Sequence, residues 1–304
     1  TITYGMNKAL VECIPNFSEG RRINVIDAIT DSIAKVPQTT ILDRHIDPYH
    51  NRTVITFVGP PASVAQAAFQ AVSAASTLID IKQHDGVHPR IGATDVVPFV
   101  PLSGVSMETC IQMAADLGNK VGDELNIPVY LYGEAAINIT RSKLANLRSG
   151  GYEGLRKSIS VDPERYPDYG PKYLGSSGAT AIGARTPLIA FNINLSTNDV
   201  VIAQNIAKAI RQSSGGLHGV QSIGIIVDEL AQVSNNITNY SMTPVVVVVD
   251  AIEKEATKYG VEIYDSEIVG LIPQEAMKDT ERWYLPANLD LSNCILEHCI
   301  DALL

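Results

Sequence analysis

Apolar and polar positions alternate between two periods along this chain. Leu10-Val11-Glu12-Cys13-Ile14-Pro15 has the composition of a short strand, and Asn16-Phe17-Ser18-Glu19-Gly20 that of a turn. Val25, Ile26, Ile29 and Ile33 then recur at three- and four-residue intervals up to Val36, which places them on one face of a helix. Thr39 to Ile46 and Thr53 to Val58 are β-branched runs that predict two strands, separated by the polar stretch Asp47-Pro48-Tyr49-His50-Asn51-Arg52. Pro60-Pro61 opens a second helix with Val64, Ala68, Ala71, Val72 and Ala75 inward, and Val96 to Val100 is a further strand. The resulting order, β-α-β-β-α-β, is that of a split βαβ or ferredoxin-like unit.

A helix near Met107 to Leu125 and a strand over Pro128 to Tyr132 follow, then a long Gly- and Pro-punctuated stretch from about Ser149 to Arg185. The second half repeats the order: strand Leu188 to Leu195, helix Asn198 to Gln212, strands Gln221 to Val227 and Ala231 to Tyr240, a helix over Thr243 to Tyr259 and a strand at Val261 to Tyr264. Val245 to Val249 are five valines, which favour a strand locally. Thr243 as N-cap and Pro244 at the first helical position favour the helix that the repeated order requires. The expectation is an α/β (α+β) chain of two ferredoxin-like units, residues 1–185 with the connecting loop and residues 186–304.

Composition narrows the partners. The 304 residues are 45% hydrophobic and 18% charged, which suits a globular enzyme. A formal charge of −10 disfavours nucleic acid and anionic membrane surfaces, though local Arg and Lys can still hold a small anion. There is no apolar run long enough for a bilayer and no signal-peptide pattern at the start of the sequence. Cys13, Cys110, Cys294 and Cys299 form no C-x-x-C pair, so thiols and a cytoplasmic location are expected.

Candidate chemistry concentrates in four segments. Four of the six histidines, His45, His50, His84 and His88, fall between positions 45 and 88. Gly86, Pro89 and Gly92 make Gln83 to Asp95 a stiff, non-helical loop that presents His88, Arg90 and Asp95. An imidazole, a guanidinium and a carboxylate together suit proton transfer beside an anionic substrate; the plainer reading is a solvated turn with an Arg90–Asp95 ion pair. His84 and His88 are four apart, but Gly86 and Pro89 disfavour a helical metal pair, and no metal is expected. His50-Asn51-Arg52 opens a strand, where ligand contacts or an Asx-type turn are both expected. Asp168 to Arg185 is glycine-rich without being a P-loop, and its Lys172 and Arg185 suit carboxylates. Strand alternation places Asn192 and Asn194 on one face, opposite Phe191 and Ile193.

These segments together resemble the formiminotransferase family, the formiminotransferase domain of formiminotransferase-cyclodeaminases. The resemblance rests on Leu10-Val11-Glu12-Cys13-Ile14-Pro15-Asn16-Phe17-Ser18-Glu19-Gly20, Asn51-Arg52-Thr53-Val54, His88-Pro89-Arg90-Ile91-Gly92-Ala93, Val129-Tyr130-Leu131-Tyr132-Gly133-Glu134, Gly178-Ala179-Thr180, Phe191-Asn192-Ile193-Asn194 and Val269-Gly270-Leu271-Ile272-Pro273, in order along nearly the whole chain. It implies two ferredoxin-like subdomains with a folate tunnel between them, a homodimer, and transfer of a formimino group from formiminoglutamate to N5 of tetrahydrofolate, polyglutamylated or not, in histidine breakdown. A cyclodeaminase would be a separate partner.

The family's catalytic histidine falls on His88, and its folate contacts in and around Gly170 to Gly178. An acidic residue of the animal members is replaced by His45, so His45, Asp47 or His50 would be the second acid–base group. The substrate and folate candidates are Asn16, Asn51, Arg52, Arg90, Asp95, Gly170, Pro171, Lys172, Ser177, Gly178, Arg185, Asn192 and Asn194. Use of 5-formyltetrahydrofolate, by formyl transfer or ATP-dependent ring closure, and folate binding without turnover are the alternatives.

Overall fold

The computed structural model describes residues 9–86, 89–279 and 294–302. The chain divides into two compact units, Thr1–Arg185 and Thr186–Leu304.

In the first unit, β1 (Leu10–Cys13), β2 (Asn16–Phe17), α1 (Ile23–Ala34), β3 (Thr40–Asp47), β4 (Arg52–Gly59), α2 (Pro61–Leu78) and β5 (Thr94–Ser103) form the ferredoxin-like set. β1 and β2 lie between β4 and β5, antiparallel to both, and β3 pairs with the outer edge of β4. Asn16-Phe17 is strand rather than turn. Pro15 has no N–H to give the ladder, but its carbonyl accepts from Ile55, so pairing resumes one residue later.

The sheet then extends. α3 (Met107–Leu125) leads to β6 (Val129–Gly133), and β7 (Thr180–Ala184) inserts parallel between β5 and β6. The stretch from Ser149 to Arg185 therefore also carries a helix, α5 (Gly151–Ser158), preceded by the single turn α4 (Leu144–Leu147). Ile29, Ile33, Phe57, Val64, Val72, Phe99, Leu117 and Leu131 pack the helices on one face of the sheet. On the other face, Leu147, Leu155 and Ile159 cover Val96, Tyr130, Tyr132 and Ala181.

The second unit is β8 (Ile189–Leu195), α6 (Val200–Ile210), β9 (Val220–Val227), β10 (Leu230–Ile237), α7 (Val245–Thr257) and β11 (Ile263–Val269), with α8 (Leu296–Asp301) after it. The strand order β11-β8-β10-β9 is again the ferredoxin-like one. Phe191, Ile193, Val233 and Ile237 meet Ile206, Val248 and Ile252 of the helices. The five valines are helical: burial of Val245, Val246, Val248 and Val249 outweighs the rotamer cost of β-branching.

Thr243 is not the cap of that helix. Pro244 occupies the N-cap position and the Thr243 hydroxyl donates to the His218 carbonyl. The last strand begins two residues later than Val261 and runs on to Val269, because its charged Asp265 and Glu267 alternate with residues directed at the helices.

Candidate active site in the first unit

His50, Asn51 and Arg52 from one stretch and Arg90 and Asp95 from another line one small hollow with Phe17, Ser18 and His84. Its volume of about 10 Å³ admits a single water molecule. His88 and Val87 lie outside the described residues.

Asn51 organises the hollow. It sits in the left-handed region (φ 51°), which asparagine tolerates better than most residues. Its Oδ1 accepts from the Gly20 N–H at 2.8 Å, its Nδ2 donates to the Asp85 carbonyl at 2.8 Å, and its own carbonyl accepts from His84 Nε2 at 2.9 Å. Two loop segments, the Gly20 turn and the His84–Asp85 loop, are thereby tied to the start of β4. Arg90 Nε donates to His84 Nδ1 at 3.0 Å. A guanidinium can only donate, so Nδ1 is the acceptor and the proton of the neutral ring resides on Nε2. Burial first, and Arg90 as well, lower the His84 pKa against the upward pull of the Asn51 carbonyl. His84 is thus a neutral strut.

Asp47 and His50 form a carboxylate–imidazole pair, Oδ2 to Nδ1 at 2.5 Å, and the His50 backbone N–H donates to Asp47 Oδ1 at 2.9 Å. Burial alone would raise the Asp47 carboxyl. The His50 ring, the His50 N–H and nearby Arg52 outweigh it and hold the group at about 2. Asp47 is therefore ionised at neutral pH and cannot donate, which fixes the shared proton on His50 Nδ1. Glu19 is held below the usual carboxylate range: burial opposes, but the Arg22 and Arg21 N–H groups and the Arg22 guanidinium prevail.

Arg90 and Asp95 do not pair with each other. Arg90 reaches Glu153 of α5 at 2.9 Å, and Asp95 is bonded to Arg148 while its Oδ1 accepts from the Ile91 N–H at 2.8 Å. Both partners come from the α4–α5 region, so that segment clamps the loop from outside. Neither contact had a local signal in the sequence.

The glycine-rich loop is laced to the residues just after His88. Ala93 N–H donates to the Ser177 carbonyl at 2.8 Å, Ala179 N–H to Ile91 at 3.0 Å, and Ser177 Oγ to Ser76 at 3.1 Å. Gly92 and Gly178 face each other across this bridge, and a Cβ at Gly92 would lie 2.0 Å from the Ala179 oxygen. Only glycine permits that approach.

Models of known families match both halves: "Formiminotransferase domain, N-terminal subdomain" over residues 10–185 and "Formiminotransferase domain" over residues 190–298. The chain belongs to the formiminotransferase family. It is 47% identical over 284 residues to the glutamate formimidoyltransferase of Thermoplasma acidophilum, covering 92% of this chain and 93% of that one. It is 41% identical over 293 residues to the glutamate formimidoyltransferase of Streptococcus pyogenes serotype M1, covering 95% and 98%. Identity to the formimidoyltransferase-cyclodeaminase of Mus musculus is 45% over 285 residues, covering 90% of this chain and 52% of the mouse protein.

Within this formiminotransferase fold the remaining candidates are dispersed. His45 lies on β3 opposite Val54, outside the lining of the hollow, and Asn16 lies on β2, paired with Val54 and Val96. Lys172 sits 3.5 Å above the Tyr166 ring, and Gly170 packs against the Ile127 carbonyl. Arg185 follows β7 and donates its N–H to Phe99. Asn192 and Asn194 belong to the second unit, on the sheet face opposite its helices.

A larger cavity of about 240 Å³ in the first unit is lined by Tyr130, Arg141, Leu147, Leu155, Glu164 and Arg165, among others. Arg141 is bound to Asp168 at 2.9 Å and to two carbonyls, and Arg165 to the Ser149 carbonyl at 2.5 Å. These cations serve the loop frame, so the smaller hollow is the better site. Among the described residues, no group of three metal-ligating side chains is assembled, and no helix is long and apolar enough to cross a membrane.

Proposed function

We propose that this formiminotransferase moves the formimino group of N-formiminoglutamate to N5 of tetrahydrofolate, releasing glutamate. The supporting observation is that His50, held by Asp47, lines one hollow with Arg52, Arg90 and Asp95, beside a glycine-rich loop stitched to the segment that follows His88. N5 attacks the amidine carbon to give a tetrahedral intermediate. N5 must then lose a proton, and the glutamate nitrogen must gain one as its bond to carbon breaks. His88 performs the principal transfer, since an imidazole with an ordinary pKa near about 6.5 can accept and return a proton at neutral pH.

His50, oriented by ionised Asp47, is a better second acid–base group than His45, because it lines the hollow and has a fixed Nδ1 donor. Arg52 holds a substrate carboxylate, while Arg90 acts more through His84 and Glu153 than on substrate. In the first unit Gly170, Pro171, Lys172, Ser177 and Gly178 are the folate contacts. Asn192 and Asn194 of the second unit contact substrate. Folate, with or without a polyglutamate tail, is a substrate, and the reading includes a homodimer in the cytoplasm.

His88→Ala should lower kcat at least about a hundredfold while folate binding persists. The test is turnover followed by pterin absorbance, with formiminoglutamate and formylglutamate as alternative donors. Near-normal turnover by the variant would remove His88 from the mechanism; transfer from formylglutamate alone would replace the donor.

A further inference from the structure

On the face of the second unit's sheet that its own helices leave uncovered, the strands form two matched polar ranks. Asp265 of β11, Asn194 of β8 and Gln232 of β10 are register partners in one rank; Glu267, Asn192 and Ser234 are partners in the next. Asn194 Nδ2 donates to Asp265 Oδ1 at 2.6 Å, and Gln232 Nε2 donates to Asn194 Oδ1 at 2.9 Å. In the second rank Asn192 Nδ2 donates to Glu267 Oε2 at 3.2 Å.

A carboxylate can only accept, so each β11 anion decides which end of its neighbouring amide faces it. Both asparagines must turn their NH₂ toward β11 and their carbonyl oxygen toward β10. In the first rank the choice propagates: Asn194 Oδ1 takes the NH₂ of the buried Gln232 side chain. In the second rank Asn192 Oδ1 is directed toward β10 in the same sense. Without the anions, each amide could flip at little cost and offer donor or acceptor equally.

We propose that Asp265 and Glu267 are positioning residues that lock this sheet face as a row of acceptors for an N–C–N edge bearing N–H donors. This rests on the reading above that Asn192 and Asn194 contact substrate. Two substrates of the proposed reaction carry such an edge: the 2-amino-N3–H side of the pterin and the formimino group itself. Oriented acceptors reject a ligand lacking the matching donors, because a desolvated carbonyl would be left unpaired.

The test compares wild type with the double variant Asp265→Asn/Glu267→Gln, which preserves size and hydrogen-bonding capacity but allows both amides to flip. Affinities for 5-formyltetrahydrofolate and for N-formiminoglutamate are measured by calorimetry, alongside the melting temperature of the free protein. Simple charge removal would tighten binding of these anionic ligands. Loss of orientation instead weakens at least one of them about tenfold, with the melting temperature held within about 2 °C; the affected probe identifies the edge recognised.

Affinities unchanged or tighter for both probes would overturn the proposal. So would a fall of many degrees in melting temperature that carries both affinities down together. If wild type binds the probes but transfers nothing, the proposed reaction fails while the positioning role is still measured. If wild type binds neither, both are refuted.

Discussion

Asn51→Ala removes the side chain that joins the Gly20 turn, the Asp85 loop and the start of β4. The buried Gly20 N–H loses the Asn51 acceptor, which costs about 2–3 kcal/mol; the half-buried Asp85 carbonyl adds about 1 kcal/mol. Alanine at φ 51° adds about 1 kcal/mol more, since asparagine tolerates this region and alanine does not. The sum, about 4 kcal/mol, corresponds to a drop of about 8–16 °C in the melting transition of a unit this size. Scanning calorimetry reads the drop, and hydrogen exchange should show the Gly20 amide becoming fast. Asn51→Asp retains the Gly20 acceptor and the backbone preference, so it should lose less than half as much. A shift under about 3 °C for Asn51→Ala, or equal losses for the two variants, would refute the view that this side chain secures the site.

Two further outcomes follow from the same geometry. The Asp47 carboxyl is held at about 2 in the fold against 3.8 for the free group, so its contribution is fully present above about pH 4 and disappears as pH falls through 2. With the side chain one-fifth exposed, the contribution is about 1–2 kcal/mol. Asp47→Asn should accordingly lower the unfolding free energy from urea titration at pH 7 by that amount, and the gap should close only as pH falls below about 2; a gap independent of pH would contradict the ion-pair reading. Gly92→Ala drives a methyl group onto the Ala179 carbonyl and should cost more than about 3 kcal/mol, whereas Gly175→Ala, with open space around it, should change little. Equal melting temperatures for the two would remove the close approach from the account.

Much of the fold was legible because burial follows period. α1 and α2 follow the three- and four-residue spacing of Val25 to Ile33 and Val64 to Ala75, and β8 alternates as Asn192 and Asn194 imply. β7 was hidden because Thr180-Ala181-Ile182-Gly183-Ala184 is small and short of β-branched residues. It is a strand because it fills a slot between two others, where Gly183 lies against the Tyr132 carbonyl. β11 looked short because Asp265 and Glu267 interrupt its hydrophobicity, although alternation permits them on the face turned away from the helices.

In the site, residue types were readable but pairings were not. The partners of Arg90 and Asp95 are 63 and 53 positions away, and nothing local distinguishes Glu153 or Arg148 from other surface charges. His84, weighed in the sequence only as a metal ligand, is a neutral strut; the tight spacing of Asn51, His84 and Arg90 around it appears only after folding.

The placement of β7 has a consequence for how the first unit acquires its structure. β5 and β6 are synthesised well before Thr180–Ala184, yet neither can close its parallel ladder until that pentapeptide arrives to separate them. The nascent chain therefore carries two unpaired hydrophobic edges across an interval of 46 residues from Gly133 to Thr180, long enough for self-association to compete with assembly. As the last strand of this unit in chain order, β7 is the keystone that joins β5 to β6.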